Sequence, residues 1–247
     1  FGAMTAATGI SATIRNAPFN SKVRLLTLWV DAAIAGDFRV RSPRMHDNVN
    51  GLRWRVPIND PTPLLDPMFP QMLVPQDTLV IEDQAVDAIT DVHQLSMLVH
   101  YEDLPGAQAR FATAEFVKSK YVHLVTVENN LATTATGDFG GEERINLDTD
   151  LLKANTDYAL IGYTVDARCA VVRWRGADTG NFGVGGPGMV DDPWLTSKWF
   201  QYLSERSGLP CIPVFNSANR AGILLDAAQD DAGADVIVET LFAELRP

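Results

Sequence analysis

Short runs of Val, Leu, Thr and aromatic residues recur in one order along the two halves of this chain, and that recurrence constrains its fold more than any single motif. The runs are Val23–Val30, Phe38–Arg41, Thr78–Ile81, Leu95–Val99, Val122–Val127, Ala159–Val165, Ala170–Arg175, Ile223–Leu225 and Val236–Phe242. Such side chains suit a pleated, half-buried surface, and the Pro, Gly, Asn and Asp between them end strands. The spacing predicts an antiparallel sandwich or barrel rather than alternating strands and helices.

The recurrence is weak residue by residue and ordered as a set. Val30-Asp-Ala32 returns as Val165-Asp-Ala167 at an offset of 135, and Phe38-Arg-Val-Arg41 as Val172-Arg-Trp-Arg175 at 134. Asn59-Asp-Pro61 matches Asp191-Asp-Pro193 at 132, and Thr78–Leu98 lies on Gly222–Phe242 without gaps at 144. Val23–Leu28 resembles Val122–Val127 at 99, which puts about 36 additional residues into the second half, within Glu128–Thr164. The shared order predicts a duplication: two β domains, 4–110 and 119–247, with a boundary between Leu104 and Ser119.

One segment has helical punctuation. Asp192 stands at an N-cap, Pro193 at the first helical position and Gly208 past the end, around an apolar stripe of Leu195, Trp199, Tyr202 and Leu203. A short helix over about 193–207 is expected in the second domain, anchored by Trp194 and Trp199.

A length of 247 residues with 46% hydrophobic and 21% charged residues suits a folded core. The net charge of −11 weighs against a phosphate-neutralising surface, so no direct nucleic-acid partner is expected. Nothing after Met4 follows the plan of a signal peptide, and Leu25–Ala35, interrupted by Asp31, is too short to span a bilayer. The expected protein is soluble. Cys169 and Cys211 lack CxxC spacing and are expected to be buried free thiols.

The stretch Ala177–Asp192, ADTGNFGVGGPGMVDD, holds two strings associated with chemistry. Gly183-x-Gly185-x-x-Gly188 spells a dinucleotide fingerprint, but its mechanics need a strand ending at the first glycine and a helix opening at the third. Here Pro187 interrupts the string and the helix waits for Pro193. Asp178-Thr179-Gly180 spells the aspartic-protease triplet, whose chemistry needs two carboxylates sharing a proton. The first half supplies no second copy; its corresponding segment, Ser42–Pro57, holds His46-Asp47-Asn48. A hydrolase using Asp178 is retained as an alternative.

His46, His93, His100 and His123 have no metal-binding spacing, and Asn146-x-Asp148-x-Asp150 meets Leu151 where a calcium loop turns on Gly. No metal or cofactor and no catalytic residue is assigned. Five tryptophans leave a carbohydrate- or ligand-binding module as a further alternative.

Tandem acidic β domains with long loops, a short helix and no catalytic spacing resemble the double jelly-roll major capsid proteins of tailless icosahedral viruses. The resemblance rests on the architecture and on paired runs such as Val23–Leu28 with Val122–Val127. It implies an all-β chain of two tandem antiparallel jelly-roll sandwiches in a virion. It further implies a non-enzymatic coat protein that self-assembles as a trimeric pseudo-hexagonal capsomer, with other capsid proteins and an internal membrane as neighbours. Phe69, Asn181, Phe182, Pro193 and Trp194 are the assembly-loop candidates, because interfaces are filled by aromatic and apolar loop residues.

Overall fold

The computed structural model describes residues 8–13, 22–32, 35–42, 49, 51–56, 59–73, 78–85, 93–102, 110–132, 139–145, 152–229 and 235–247. Strands dominate, and the chain divides into two units, Phe1–Pro105 and Gly106–Pro247.

The first unit holds β1 (Thr8–Thr13), β2 (Val23–Ala32), β3 (Gly36–Arg41), β4 (Leu52–Val56), β5 (Asn59–Pro63), β6 (Gln71–Leu73), β7 (Thr78–Ala85) and β8 (His93–Tyr101). One antiparallel sheet has the order β1-β7-β3-β4. In the other, β2 pairs with β8 along one edge and with β5 and β6 in succession along the other. Period-two alternation turns Phe38 and Val40 of β3 inward and leaves Asp37, Arg39 and Arg41 outward. Val23, Leu25 and Leu28 of one sheet meet Val40, Leu79 and Ile81 of the other in a shared core. Burying each of these side chains is worth about 1.5–3 kcal/mol, which holds the two sheets face to face.

The second unit holds β9 (Phe111–Ala112), α1 (Ala114–Lys120), β10 (Tyr121–Leu131), β11 (Glu143–Arg144), β12 (Asp157–Val165), β13 (Cys169–Arg175) and β14 (Val184–Gly188). It continues with α2 (Pro193–Thr196), α3 (Trp199–Ser207), β15 (Ile212–Asn216), β16 (Leu224–Gln229) and β17 (Val236–Leu245). Its sheets have the orders β10-β17-β12-β15-β9 and β11-β16-β13-β14. Trp174 bridges them: its ring centroid lies 4.8 Å from that of Tyr163 and 5.9 Å from that of Phe200, and its indole N–H donates to Thr240 Oγ1 at 3.2 Å.

The two units share one framework over seven strands each. The order β1-β7-β3-β4 corresponds to β11-β16-β13-β14, and β8-β2-β6 to β17-β12-β15. The correspondence reaches individual ladder positions. Arg39 sits opposite Glu82, and Arg173, 134 residues on, sits opposite Asp226, 144 residues on. Both are ion pairs: Arg39 Nε to Glu82 Oε2 at 2.6 Å and Arg173 Nε to Asp226 Oδ1 at 3.0 Å. The β2–β8 ladder slips at Leu26 and the β12–β17 ladder at Ile161, 135 residues on, so even the bulge recurs.

Three sequence matches need correction. The counterpart of β2 is β12, not Val122–Val127, which belongs to β10, a strand with no equivalent among the described residues of the first unit. Glu128–Thr164 is therefore not an inserted loop between matched strands but holds the end of β10, β11 and most of β12. The gapless match at 144 is right for β7 with β16, whereas the ladders align Met97 with Thr240, an offset of 143 for β8 with β17. Asn59-Asp-Pro61 opens a strand along β2, whereas Asp191-Asp-Pro193 opens a helix beside β12.

That helix is two pieces. Asp192 caps α2 by accepting the Leu195 N–H at 3.0 Å, and the chain turns through Ser197-Lys198 before α3. Trp199 and Leu203 of the expected stripe are buried together with Phe200. Trp194 is not an anchor: it is 71% exposed. β9 and α1, which fall around the expected boundary, lie in the second unit. No helix among the described residues is long and apolar enough to cross a membrane. His46 and Asn146–Asp150 lie outside the described residues.

Candidate interaction surface

The glycine-rich stretch is not a loop. Gly185, Gly186 and Gly188 lie in β14, paired with β13, and none of them has a positive φ. Their role is close approach: a Cβ on Gly186 would stand 2.3 Å from the Tyr163 hydroxyl oxygen and 2.5 Å from Trp199 Nε1. The missing side chain admits the α3 indole, whose N–H donates to the Gly185 carbonyl at 3.1 Å. Positive φ is confined to the turn before it, at Gly180 (64°) and Asn181 (60°).

Asp178 sits in the 3-10 turn Ala177–Thr179 and is buried. Its Oδ2 accepts the Asn216 backbone N–H at 3.0 Å and the Asn219 amide at 3.2 Å, and Arg110 Nη1 lies 3.9 Å from its Oδ1. Arg110 also donates to Asp157, at 2.9 Å to Oδ1 and through Nη2 to Oδ2, while its own backbone N–H donates to the Asp178 carbonyl at 2.7 Å. The Arg110 guanidinium, and less strongly the Asn216 amide, hold the Asp157 carboxyl below the usual carboxylate range. Burying the Asp178 carboxylate beside the partly buried Asp157 is tolerable only with such partners. The network ties the entry of β9 to β12, β15 and the 3-10 turn, and Asp178 is a framework carboxylate within it.

The outer face of the five-stranded sheet carries a groove of about 590 Å³. Alternation on β17 sends Thr240 and Phe242 to the core and Leu241 and Ala243 outward, where they join Ile161 and Leu124 on its floor. Val117 of α1 and Gln201 of α3 also line it. Leu124 is 51% exposed, and Phe116, Tyr121 and Val122 nearby in sequence are also exposed, an apolar concentration of the kind that marks an interaction surface.

The five sequence candidates fall on three separate elements. Phe69 is 62% exposed beside exposed Met68, in a turn held by the Met68 N–H donating to Asp66 Oδ1 at 2.9 Å. Asn181 and Phe182 occupy the turn after the 3-10 segment, with Phe182 36% exposed. Pro193 and Trp194 open α2, and the Lys198 ammonium lies over the Trp194 ring. Trp29, Trp174 and Trp199 are buried and Trp54 is partly so, which leaves Trp194 as the one strongly exposed tryptophan. Both cysteines are free and buried, and burial pushes the Cys211 thiol up to about 11.

Sequence reasoning missed the groove, and it found the strand at Val122–Val127 but not its place at the sheet edge. Val122, Leu124, Val125 and Val127 read as a strand apolar on both faces, the usual mark of a central strand. The structure places that strand at the sheet edge with its first four residues exposed.

No protein-family model matches this chain, and no curated protein does. Among solved structures, the chain has similarity to the exported protein XepA of PBSX, at 9% identity over 96% of this chain and 87% of that one, with a TM-score of 0.19. It also has similarity to the major capsid protein P2 of bacteriophage PM2, at 11% identity over 98% of both chains, with a TM-score of 0.22.

Proposed function

We propose that this chain is a structural coat protein of a virion, built of two tandem jelly-roll sandwiches and assembling with copies of itself. One observation carries the reading. Counted from β10, the eight strands of the second unit pair in the orders first-eighth-third-sixth and second-seventh-fourth-fifth, and the described residues of the first unit repeat that pattern without its first strand. This order supports reading each unit as a double-sheet jelly roll, an architecture used in viral capsids as well as in lectin domains. Two such sandwiches in one chain supply the building block, and the exposed apolar groups at Phe69, Tyr121 and Leu124 supply contacts between copies.

On this reading the assembly unit is a homotrimer, the neighbours are further coat proteins and an internal membrane, and the acidic chain does not bind nucleic acid directly. Light scattering on a size-exclusion column, across a concentration series, tests it. The expected result is a mass of three chains that grows into larger particles. A single-chain mass at every concentration and salt would overturn it.

A further inference from the structure

We propose that the outer edge of β8 is a strand-accepting site, filled by β10 of a second copy of this chain. The edge is deduced from the internal repeat; only the source of the strand rests on the self-assembly reading.

The second unit displays the finished version of this edge. β10 runs antiparallel along β17, with Leu124–Leu131 opposite Ala243–Val236, and the core-facing Val238, Thr240 and Phe242 of β17 are wholly buried. The ladders set Leu95, Met97 and Val99 of β8 at those same three positions. There β8 pairs with β2 along one edge, and no strand among the described residues pairs along the other. Leu95, Met97 and Val99 pack on the first unit's core yet are only partly buried. Where the sister unit carries a strand, the described residues of the first unit place none beside this edge and its row of apolar side chains.

Nothing in β8 blocks pairing. Edge strands that must stay single are usually protected by Pro, Lys or an inward charge. His93-Gln-Leu-Ser-Met-Leu-Val-His-Tyr101 has none of these in its core-facing row. The strand that fits must be extended, run antiparallel to β8, and offer apolar groups opposite Met97 and Val99. β10 meets β8 through the edge it does not share with β17, which turns its outer face, with the exposed Val122 and Leu124, toward the Met97 and Val99 row. It too has no Pro or Lys, no described strand pairs with its second edge, and Tyr121, Val122 and Leu124 leave its first half apolar and exposed. Joining β10 of one copy to β8 of the next covers both edges in one contact, with main-chain bonds for affinity and alternate side chains for selection. Such a contact is head-to-tail, so it closes as a ring or continues as a chain.

Hydrogen–deuterium exchange on the full chain across a concentration series tests this, with light scattering on the same samples. A synthetic peptide of residues 121–131, alone and with alternate amides N-methylated, is added in a second series. The expected result is about tenfold slower exchange of alternate amides in 93–101 as particles form, in step with 121–131. The peptide should give the same protection of 93–101, lost in one of the two N-methylated forms. Particles that form while 93–101 exchanges unchanged would overturn the inference and leave self-assembly standing. Protection of 93–101 already complete in the single chain would overturn it too, since the edge would be filled from within. Should the chain stay single at every concentration, self-assembly and the second-copy source both fail, and the peptide alone decides whether the edge accepts a strand.

Discussion

Where the first unit places Trp54 on β4, the second places Gly186 on β14, and the indole that fills the second core comes instead from Trp199 on α3. At the neighbouring position Val40 of the first unit is matched by Trp174 of the second. Leu28 is likewise matched by Tyr163. The two cores are filled by different residues from different elements, while strand order, bulge position and the outward Arg–carboxylate pair are kept. Core volume can be met by many combinations of side chains, provided the total and the pattern are held; a bulge or a cross-strand pair is tied to one register. The framework therefore outlasts the packing, and the second unit has used that freedom to admit helices and a covering strand.

The sharpest break of the comparison is at the Val40/Trp174 position. Trp174→Ala removes an indole wholly enclosed by Tyr163, Phe200 and Thr240 and should cost about 3–5 kcal/mol. Val40→Ala, at the matched site, should cost about 2 kcal/mol. Denaturant titration followed by fluorescence and far-ultraviolet dichroism measures both. Equal costs would mean that the two cores share load in a way the packing does not suggest.

Gly186→Ala should cost about 1–3 kcal/mol, because the new methyl meets the Tyr163 hydroxyl and the Trp199 ring. Paired with Trp199→Ala it should cost clearly less than the two changes added, and a double-mutant cycle reads that coupling. Additive costs would sink the idea that glycine is there to admit the indole.

Asp178→Ala strands the Asn216 N–H and the Asn219 amide and should destabilise the second unit by about 1–3 kcal/mol, with Asp178→Asn milder. A change in assembly with unaltered stability would contradict the framework role.

The smallest effect concerns pH. Hydrogen bonds from Arg39 and then Arg41 hold the Glu82 carboxyl down at about 2, against an ordinary 4.5. A depressed carboxylate contributes stability in full above its unfolded value, and that contribution is lost as pH falls from about 4.5 toward about 2. Glu82→Gln should flatten this acid limb for the first unit by about 1 kcal/mol, the site being partly open to solvent. An unchanged limb would show that the pair marks register without contributing stability.

Much of the fold was legible in the chain. Nearly every β-type run became a strand, because alternation of apolar and polar side chains is a local property. Offsets near 134 and 144 located β3 with β13 and β7 with β16 for the same reason. The failures were failures of context. Val23–Leu28 and Val122–Val127 have the same local character, yet one is a central strand and the other an edge strand. Asn59-Asp-Pro and Asp191-Asp-Pro carry the same turn chemistry, and the packing partners of the residues after each proline decide strand or helix. Phe69 and Trp194 were picked out as assembly-loop candidates, though Trp194 was also expected to anchor the helix; the groove was not, because its floor comes from three strands distant in sequence.

The sequence by itself determined which segments extend, where Asp192 and Pro193 start a helix, and that the chain is acidic and repeats itself. These properties arise from side-chain periodicity, capping chemistry and charge, which act over a few residues. The tertiary structure alone decided which strands pair, that a fingerprint of glycines is a strand making room for an indole, and that one sheet has its edge covered by a strand while, among the described residues, its sister does not. Those outcomes depend on contacts between distant residues, and no short stretch of sequence contains them.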